Sequence, residues 1–207
     1  MSEKQANNGS QRVAYEKLTR KDLNKVFWRL QIWGLNLTST MVNTQANGFL
    51  NAMTPVLKRL YGDADKETRS RAMRRHLLYF LSQITATGMI LGITAAVEET
   101  TKEDEKEAVV AIKAGMMGPL AGIGDSVFKI TIQAIAGSIG AAYAMQGSFL
   151  GPILMFLIYN GLNIGVKYYG IIAGYEKGME FIQSGEQAKV MQKITSVAQI
   201  VYEYSDN

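Results

Sequence analysis

The segment from Ile130 to Val166 constrains this chain most, because it contains no Asp, Glu, Lys, Arg or His. As one straight helix it would extend about 55 Å, roughly twice the thickness of the hydrocarbon core of a bilayer. The segment therefore has to fold back on itself, and Gly147-Ser148 and Gly151-Pro152 offer residues for the turn. The sequence predicts a helical hairpin in the membrane, which either crosses twice or re-enters from one side.

Composition supports membrane burial of the second half of the chain. Of the 20 glycines, 12 lie between Gly115 and Gly174, a density that is common where helices pack closely in lipid. Cysteine is absent, which excludes disulfides and thiolate chemistry. The net charge of +4 comes from basic residues beside apolar segments, a pattern that favours an anionic membrane surface over nucleic acid.

The N-terminal region begins with a polar stretch, residues 1–17, which we expect to be a disordered tail. Met1 to Ser10 lacks the apolar core of a signal peptide, so we expect internal segments to direct membrane insertion. Thr19, with Asp22 in the first turn, then predicts the start of an amphipathic helix. Basic residues beside Trp28 and Trp33 are typical of a helix that lies along lipid headgroups, although an ordinary amphipathic surface helix has the same pattern. A second helical pattern contains Pro55, where we expect a kink.

Two segments of opposite character follow a basic helix that ends at His76. Leu77 to Val97 has no charged residue and is long enough to span hydrocarbon, so we expect it to be buried in the membrane, with a full crossing left open. The acidic segment Glu98 to Glu107 is expected to be solvated and to separate two membrane-embedded halves.

The segment from Ala108 to Gly124 ends in Gly118-Pro119-Leu120-Ala121-Gly122-Ile123-Gly124-Asp125. Pro119 removes a backbone donor and the glycines permit irregular dihedral angles, so we expect the backbone to unwind there. Asp125 is the only acid between Glu107 and Glu176. It is either a functional carboxylate at membrane depth or the N-cap of the next helix.

Small residues four apart predict close helix packing or a substrate-lining face, and they occur at Gly118/Gly122, Gly147/Gly151, Gly161/Gly165 and Gly170/Gly174.

Catalytic alternatives lack the residues they need. Gly122-Ile123-Gly124-Asp125 matches the Gly-x-Gly-Asp signature of intramembrane aspartyl proteases, but no second acid stands in another apolar segment. His76 is the only histidine, so a metal site built from several histidines is excluded, and a Ser/His/Asp triad would depend on this one residue. We expect His76 to make an interfacial or partner contact. The sequence predicts no metal and no cofactor.

Several runs occur in the order known from one family. They are Arg75-His76-Leu77, Ile90-Leu91-Gly92-Ile93, Glu98-Glu99, Gly115 to Asp125, Leu150 to Leu154, Tyr168-Tyr169-Gly170, Gly174-Tyr175 and Lys177-Gly178. On these residues the chain resembles the IID subunit of the mannose/fructose/sorbose phosphotransferase system (PTS) permeases. The resemblance covers about Leu18 to Gly178, which makes 18–178 the expected membrane domain and leaves 179–207 as a polar amphipathic segment.

The resemblance implies a bacterial inner-membrane complex. We expect an all-α membrane protein whose N-terminus is cytoplasmic, because Lys and Arg dominate Lys17 to Arg29 and Lys58 to Arg75. IID and IIC would form the path of the sugar, while soluble IIA and IIB subunits phosphorylate it and IID itself is not an enzyme. A scaffold that only holds IIC is the alternative. The candidate residues for the sugar path are Gln45, Gly118, Pro119, Gly122, Gly124 and Asp125.

The chain also departs from the family pattern. An aromatic-Asn-aromatic-Glu-Arg-Met-Gln run is replaced by Ser39 to Gln45, and Ser126 and Lys129 stand where Pro and an aromatic residue are usual. These departures leave the identity of the sugar open. Relatives usually continue into a hydrophobic C-terminal region, so we expect the chain, which ends at Asn207, to be either a fragment, a truncated form or a shortened paralogue.

Overall fold

The computed structural model describes residues 17–35 and 45–183, which form helices joined by short irregular segments. The helices are α1 (Arg20–Trp33), α2 (Ala46–Tyr61), α3 (Lys66–His76), α4 (Thr87–Thr100), α5 (Glu107–Gly124), α6 (Gln133–Met145) and α7 (Leu150–Gln183). A 3₁₀ turn, Glu103–Glu105, precedes α5, and a π-helical segment, Asp125–Ile132, joins α5 to α6. Nearly all of the expected tail and most of the segment 179–207 lie outside the described residues.

The start of α1 confirms the capping prediction. The Asp22 carboxylate accepts hydrogen bonds from Thr19 N at 3.1 Å and from Thr19 Oγ1 at 2.7 Å. These bonds satisfy groups that a helix N-terminus leaves open. The apolar face of α1 is buried against α2 and α7, and it consists of Leu23, Val26, Phe27 and Leu30.

Pro55 does not interrupt α2, which runs without a break from Ala46 to Tyr61. A proline leaves the carbonyl four residues earlier, here that of Asn51, without its helical donor. Arg29 on α1 replaces that donor: its Nη1 lies 3.4 Å from Asn51 O and 2.8 Å from Asn51 Oδ1. The carbonyl that Pro55 leaves without a helical donor thus accepts from Arg29, and this contact joins α1 to α2.

The segment Leu77 to Val97 does not form one spanning helix. Residues 77–86 are irregular, and only the 14-residue α4 begins at Thr87. Such a helix is about 21 Å long, which is shorter than the hydrocarbon core. The structure buries α4 within the protein, where Ile90 and Leu91 have no exposed surface.

The expected unwinding at Gly118 to Asp125 is wrong. The helix α5 continues through Pro119 to Gly124, and Asp125 itself has helical dihedral angles (φ -65°, ψ -43°). Asp125 therefore does not act as an N-cap, because no helix begins there from extended chain. The irregularity that does occur is the π-helical segment that starts at Asp125.

The expected hairpin is present. Together, α5, the π-helical segment and α6 form a continuous stretch, Glu107–Met145, which a turn containing Gly147 (φ +72°) connects to α7. Glu107–Met145 and Leu150–Glu180 are both long and apolar enough to cross a membrane. In each of them, only 17% of an apolar 18-residue stretch is buried in the protein. The core helix of a soluble protein would be mostly buried. We call the projecting part, residues 125–163, the hairpin arm.

Close helix packing fixes the base of the arm. The second half of α7 lies against α4, where glycines on both helices meet backbone. A Cβ at Gly88 would lie 2.5 Å from Lys167 O, and a Cβ at Gly174 would lie 2.5 Å from Met89 O. The Gly170/Gly174 pair thus has the predicted packing role. In contrast, Gly161 and Gly165 face open space.

Candidate functional site

One face of α5 has no neighbour within the part of the chain that the structure describes. A Cβ at Gly118 or Gly122 would meet no atom within 4 Å. Asp125 and Lys129 follow Gly118 and Gly122 at helical spacing and so lie on the same face. This face is therefore a narrow strip of uncovered backbone that ends in two charged side chains. We call this strip the open stripe. Small residues at such spacing let another helix or a ligand approach the backbone.

An ion pair stands at the end of the open stripe, inside the hairpin arm. Asp125 Oδ1 lies 2.9 Å from Lys129 Nζ, and the two side chains are 46% and 64% exposed. The surface around this ion pair is apolar: Ile123 and Ile130 are 62% and 70% exposed. Charged side chains at membrane depth are costly unless they face protein or a water-filled cavity. The partner of Asp125 is a lysine, so the paired carboxylates of an aspartyl protease are not formed here.

The backbone around Asp125 is π-helical rather than α-helical. Asp125 is the first residue of the π-helical segment, and π-helical turns are frequent at functional sites. Ser126 Oγ donates to the Gly122 carbonyl at 3.0 Å, and Thr131 Oγ1 donates to the Ser126 carbonyl at 3.1 Å. Hydroxyl groups thus occupy backbone acceptors on both sides of Asp125.

A second polar region lies behind α5, around the irregular residues 77–86. Gln45 N donates to Phe80 O at 3.0 Å, and Gln45 Oε1 accepts from Ser82 N at 3.0 Å. The side chain of Gln83 lies against Gly124, where a Cβ would come within 2.7 Å of Gln83 Cβ. This close approach requires a glycine at position 124. Gln45 and Gly124 therefore both contact residues 77–86.

The same segment reaches α7 through a polar bridge. Asn163 Nδ2 donates to Thr85 Oγ1 at 2.7 Å, and Gln83 Oε1 accepts from Thr85 N at 2.7 Å. Leu78, Tyr79 and Leu81 project outward and are about half exposed. The segment is therefore polar toward α5 and α7 and apolar on its outer side.

Lys113 is buried below this segment. Its Nζ donates to His76 O at 3.2 Å and to Leu78 O at 3.3 Å, which satisfies carbonyls at the C-terminal end of α3. The ammonium also lies 4.7 Å from the centroid of the Phe49 ring. These contacts explain why the one charge between Ala108 and Gly124 is only 2% exposed.

His76 belongs to a different site, a buried cluster around Glu98. His76 Nε2 lies 3.3 Å from Glu98 Oε2, a contact that is not aligned as a hydrogen bond. Tyr61 Oη donates to Glu98 Oε1 at 2.5 Å, while Arg75 Nε and Lys106 Nζ lie 3.3 Å and 3.6 Å from the same oxygen. The Lys106 ammonium also donates to the Glu98 carbonyl. One carboxylate thus joins α2, α3, α4 and the loop before α5.

The charges in this cluster follow from its burial. Burial by itself raises the pKa of Glu98, but His76, Lys106 and Arg75 outweigh that effect and lower the pKa from 4.5 to about 2. Burial lowers the pKa of His76 below 6.5, despite the neighbouring carboxylate. At neutral pH Glu98 is therefore ionised, while burial disfavours the charged form of His76.

The structure divides the predicted site residues into three groups. Gly118, Gly122 and Asp125 lie on the open stripe, with Pro119 inside the same helix; Gln45 and Gly124 border residues 77–86; and His76 is in the Glu98 cluster. The prediction of a solvated acidic segment is wrong for Glu98, which is fully buried, and for Lys106, which is 3% exposed. A signal was available, because Glu98 directly continues the uncharged run that ends at Val97.

Comparison with known proteins gives consistent matches over nearly the whole chain. The profile of the PTS system mannose/fructose/sorbose family IID component matches residues 17–202. The mannose-specific EIID component of Escherichia coli is 37% identical over 195 residues, which are 93% of this chain and 68% of that protein. The fructose permease IID component of Bacillus subtilis is 36% identical over 189 residues, 90% of this chain and 67% of that protein.

The solved structures agree with the sequence matches. A chain in the cryo-EM structure of the mannose transporter ManYZ in complex with a microcin superposes with a TM-score of 0.79 at 35% identity. The match covers 91% of this chain and 70% of that chain. A second solved membrane protein matches with a TM-score of 0.73 at 35% identity.

Proposed function

This chain belongs to the mannose/fructose/sorbose family of PTS IID components, and from that premise we propose that its open stripe lines a sugar path shared with a IIC subunit. The chain is a membrane subunit of a sugar-transporting PTS permease. We further propose that soluble IIA and IIB subunits phosphorylate the sugar. The sugar belongs to the mannose, fructose and sorbose class that the relatives' names indicate.

The observation that carries this proposal is the ion pair of Asp125 and Lys129 within the apolar hairpin arm. An ion pair facing lipid would be strongly unfavourable, whereas one that faces a hydrated cavity between two subunits is tolerated. Gly118 and Gly122 leave the neighbouring backbone uncovered, so a partner helix or a sugar can approach closely. A carboxylate and an ammonium offer acceptors and donors for sugar hydroxyl groups.

Residues 77–86 form the second wall in this proposal. Irregular backbone at membrane depth occurs only where protein or a water-filled cavity surrounds it. Gln45 holds this segment through both its backbone and its side chain, and Gly124 lets it approach α5. We therefore assign Gln45 and Gly124 a positioning role behind the path. The outward Leu78, Tyr79 and Leu81 provide an apolar surface for IIC.

The test separates transport from assembly. We expect Asp125→Asn to lower sugar uptake at least about tenfold while the complex with IIC still forms, because a charge-assisted hydrogen bond is lost. That change also leaves Lys129 without its partner. The double variant Asp125→Asn with Lys129→Met removes the orphaned charge, and uptake should stay low. Glu105→Gln, an exposed change outside the arm, serves as the matched control.

Two results would oppose the proposal. Recovery of uptake in the double variant would mean that the ion pair only stabilises the arm. Wild-type uptake in all variants, with normal assembly, would favour the scaffold that only holds IIC.

We also propose that the N-terminus is cytoplasmic, because basic residues dominate Lys17 to Arg29 and Lys58 to Arg75. The chain has no cysteine, so single cysteines can report on topology. Lys66→Cys on the exposed side of α3 should resist an impermeant thiol reagent added to intact cells. Met145→Cys, at the tip of the hairpin arm, should react if the arm crosses the membrane and resist if it re-enters. Labelling of Lys66→Cys from outside would contradict this orientation.

A further inference from the structure

A groove between α1 and α2 concentrates positive charge that the proposed sugar path does not use. It has a volume of about 600 Å³. Four cations, one carboxylate and two other side chains line it, namely Lys25, Arg29, Lys58, Arg59, Asp22, Trp28 and Pro55. The four cations and one carboxylate give the lining a net formal charge of +3. Phosphate groups are anions that such a set of donors recognises.

The positive side chains are held in different ways. Arg29 is anchored through Nη1 on Asn51, so its Nε and Nη2 donors have no acceptor among the residues that the structure describes. Lys58 has no ion pair within that same part of the chain. Lys25 lies 3.5 Å from Asp22 Oδ1, and its side chain remains 66% exposed. A fixed guanidinium flanked by two accessible ammonium groups suits a phosphate ligand.

The contacts of α1 with α7 locate the groove relative to the membrane. Arg20 Nη2 lies 2.8 Å from Glu176 Oε1, and Lys167 Nζ donates to Gln31 Oε1 at 3.3 Å. Between them, the rings of Phe27 and Tyr168 are 5.2 Å apart. Helix α1 therefore runs along α7 from Glu176 to Lys167. The uncharged part of α7 begins immediately beyond Lys167, so the end of α1 reaches the border of the hydrocarbon region.

Exposed aromatic side chains mark that border. Trp28, Trp33 and Tyr169 are 58%, 53% and 72% exposed. Tryptophan and tyrosine concentrate where hydrocarbon meets headgroups. Trp28 also lines the groove, so the cations of the groove lie at the level of the lipid phosphates. Ile32, 69% exposed, continues the apolar side of α1 toward the hydrocarbon.

We propose that this groove binds the phosphate of an anionic phospholipid, with Arg29 as the fixed donor and Lys25 and Lys58 as flanking charges. The acyl chains leave the groove past Trp28 and Ile32. Soluble phosphate shares the recognition chemistry but makes no use of the exposed apolar face. The inference does not depend on the sugar path, because α1 and α2 are separate from the hairpin arm.

The test titrates the full chain in detergent with phosphatidylglycerol and counts bound lipids by native mass spectrometry. We expect Lys25→Gln with Lys58→Gln to weaken phosphatidylglycerol binding about tenfold or more, since each basic residue near the surface contributes to anionic lipid affinity. Lys66→Gln with Arg69→Gln removes two charges from the exposed side of α3 and should leave binding within about twofold of wild type. Arg29→Lys keeps the charge but loses the planar fork, so its binding should also fall.

Further measurements separate the sources of phosphate. Phosphatidylcholine should bind more weakly than phosphatidylglycerol, and inorganic phosphate should fail to displace the lipid. Equal losses in the two double variants would overturn the proposal, because binding would then follow total charge. Binding of inorganic phosphate at the same residues, without a preference for phosphatidylglycerol, would overturn it in favour of a soluble ligand. Circular dichroism confirms that each variant is folded before binding is compared.

Discussion

The buried cluster around Glu98 provides the most quantitative prediction. Glu98→Gln keeps the shape of the side chain but removes the charge that Arg75 and Lys106 face. The lowering of the pKa from 4.5 to about 2 corresponds to a preference for the ionised form of about 3 kcal/mol. Removal of one partner of a buried ion pair typically costs about 3 to 5 kcal/mol, because the remaining charge is left uncompensated.

Thermal unfolding of the purified chain in detergent, followed by tryptophan fluorescence, measures this effect. For a chain of this size, about 3 kcal/mol lowers the Tm by roughly 6 to 12 °C. Glu105→Gln makes the same chemical change on an exposed residue of the adjoining 3₁₀ turn and should leave the Tm within about 1 °C.

A specific result would refute the reasoning. If Glu98→Gln and Glu105→Gln melted at the same temperature, the carboxylate would not hold α2, α3 and α4 together. Tyr61→Phe offers a second check, because it removes the hydroxyl that donates to Glu98 at 2.5 Å and accepts from Arg75 Nη2 at 3.3 Å but keeps the carboxylate charge, so it should cost less than Glu98→Gln.

Three further predictions concern other parts of the fold. The folded pKa values of Glu98 and His76 both lie below their unfolded values, so the unfolded chain binds more protons. The Tm should therefore fall as the pH is lowered, starting below 6.5 because of His76 and below 4.5 because of Glu98. A Tm that rises on acidification would contradict this. Gly92→Ala places a Cβ against the Ile171 carbonyl oxygen and should cost about 1 to 3 kcal/mol in chemical unfolding, whereas Gly118→Ala, in open space, should be neutral or slightly stabilising in the isolated chain. Lys113→Met leaves the carbonyls of residues 76 and 78 without their donor and should lower the Tm, with Lys66→Met on the exposed side of α3 as the comparison.

Local patterns predicted the elements whose cause is local. The uncharged run from Ile130 to Val166 predicted the hairpin, and Gly147, with its positive φ, is where the chain turns. Thr19 and Asp22 predicted the start of α1, because both members of a capping box lie within one turn. The resemblance to IID subunits likewise rested on contiguous runs of sequence, and the comparisons confirm the family.

The errors share a physical origin. Pro119 and its glycines permit an unwound backbone but do not require one, and the chain is instead irregular at residues 77–86, where Gln45 and Lys113 supply the missing hydrogen-bond partners. Glycine tolerates many conformations, so its presence alone does not select one.

The sequence by itself determined the helical class, the membrane hairpin and the family. Only the tertiary structure decided which charges are buried and which glycines are packed. Glu98 is buried because Tyr61, 37 residues away, and Arg75 converge on it. A charge can leave water only where such donors meet, and donors that are distant in sequence meet only in the folded chain.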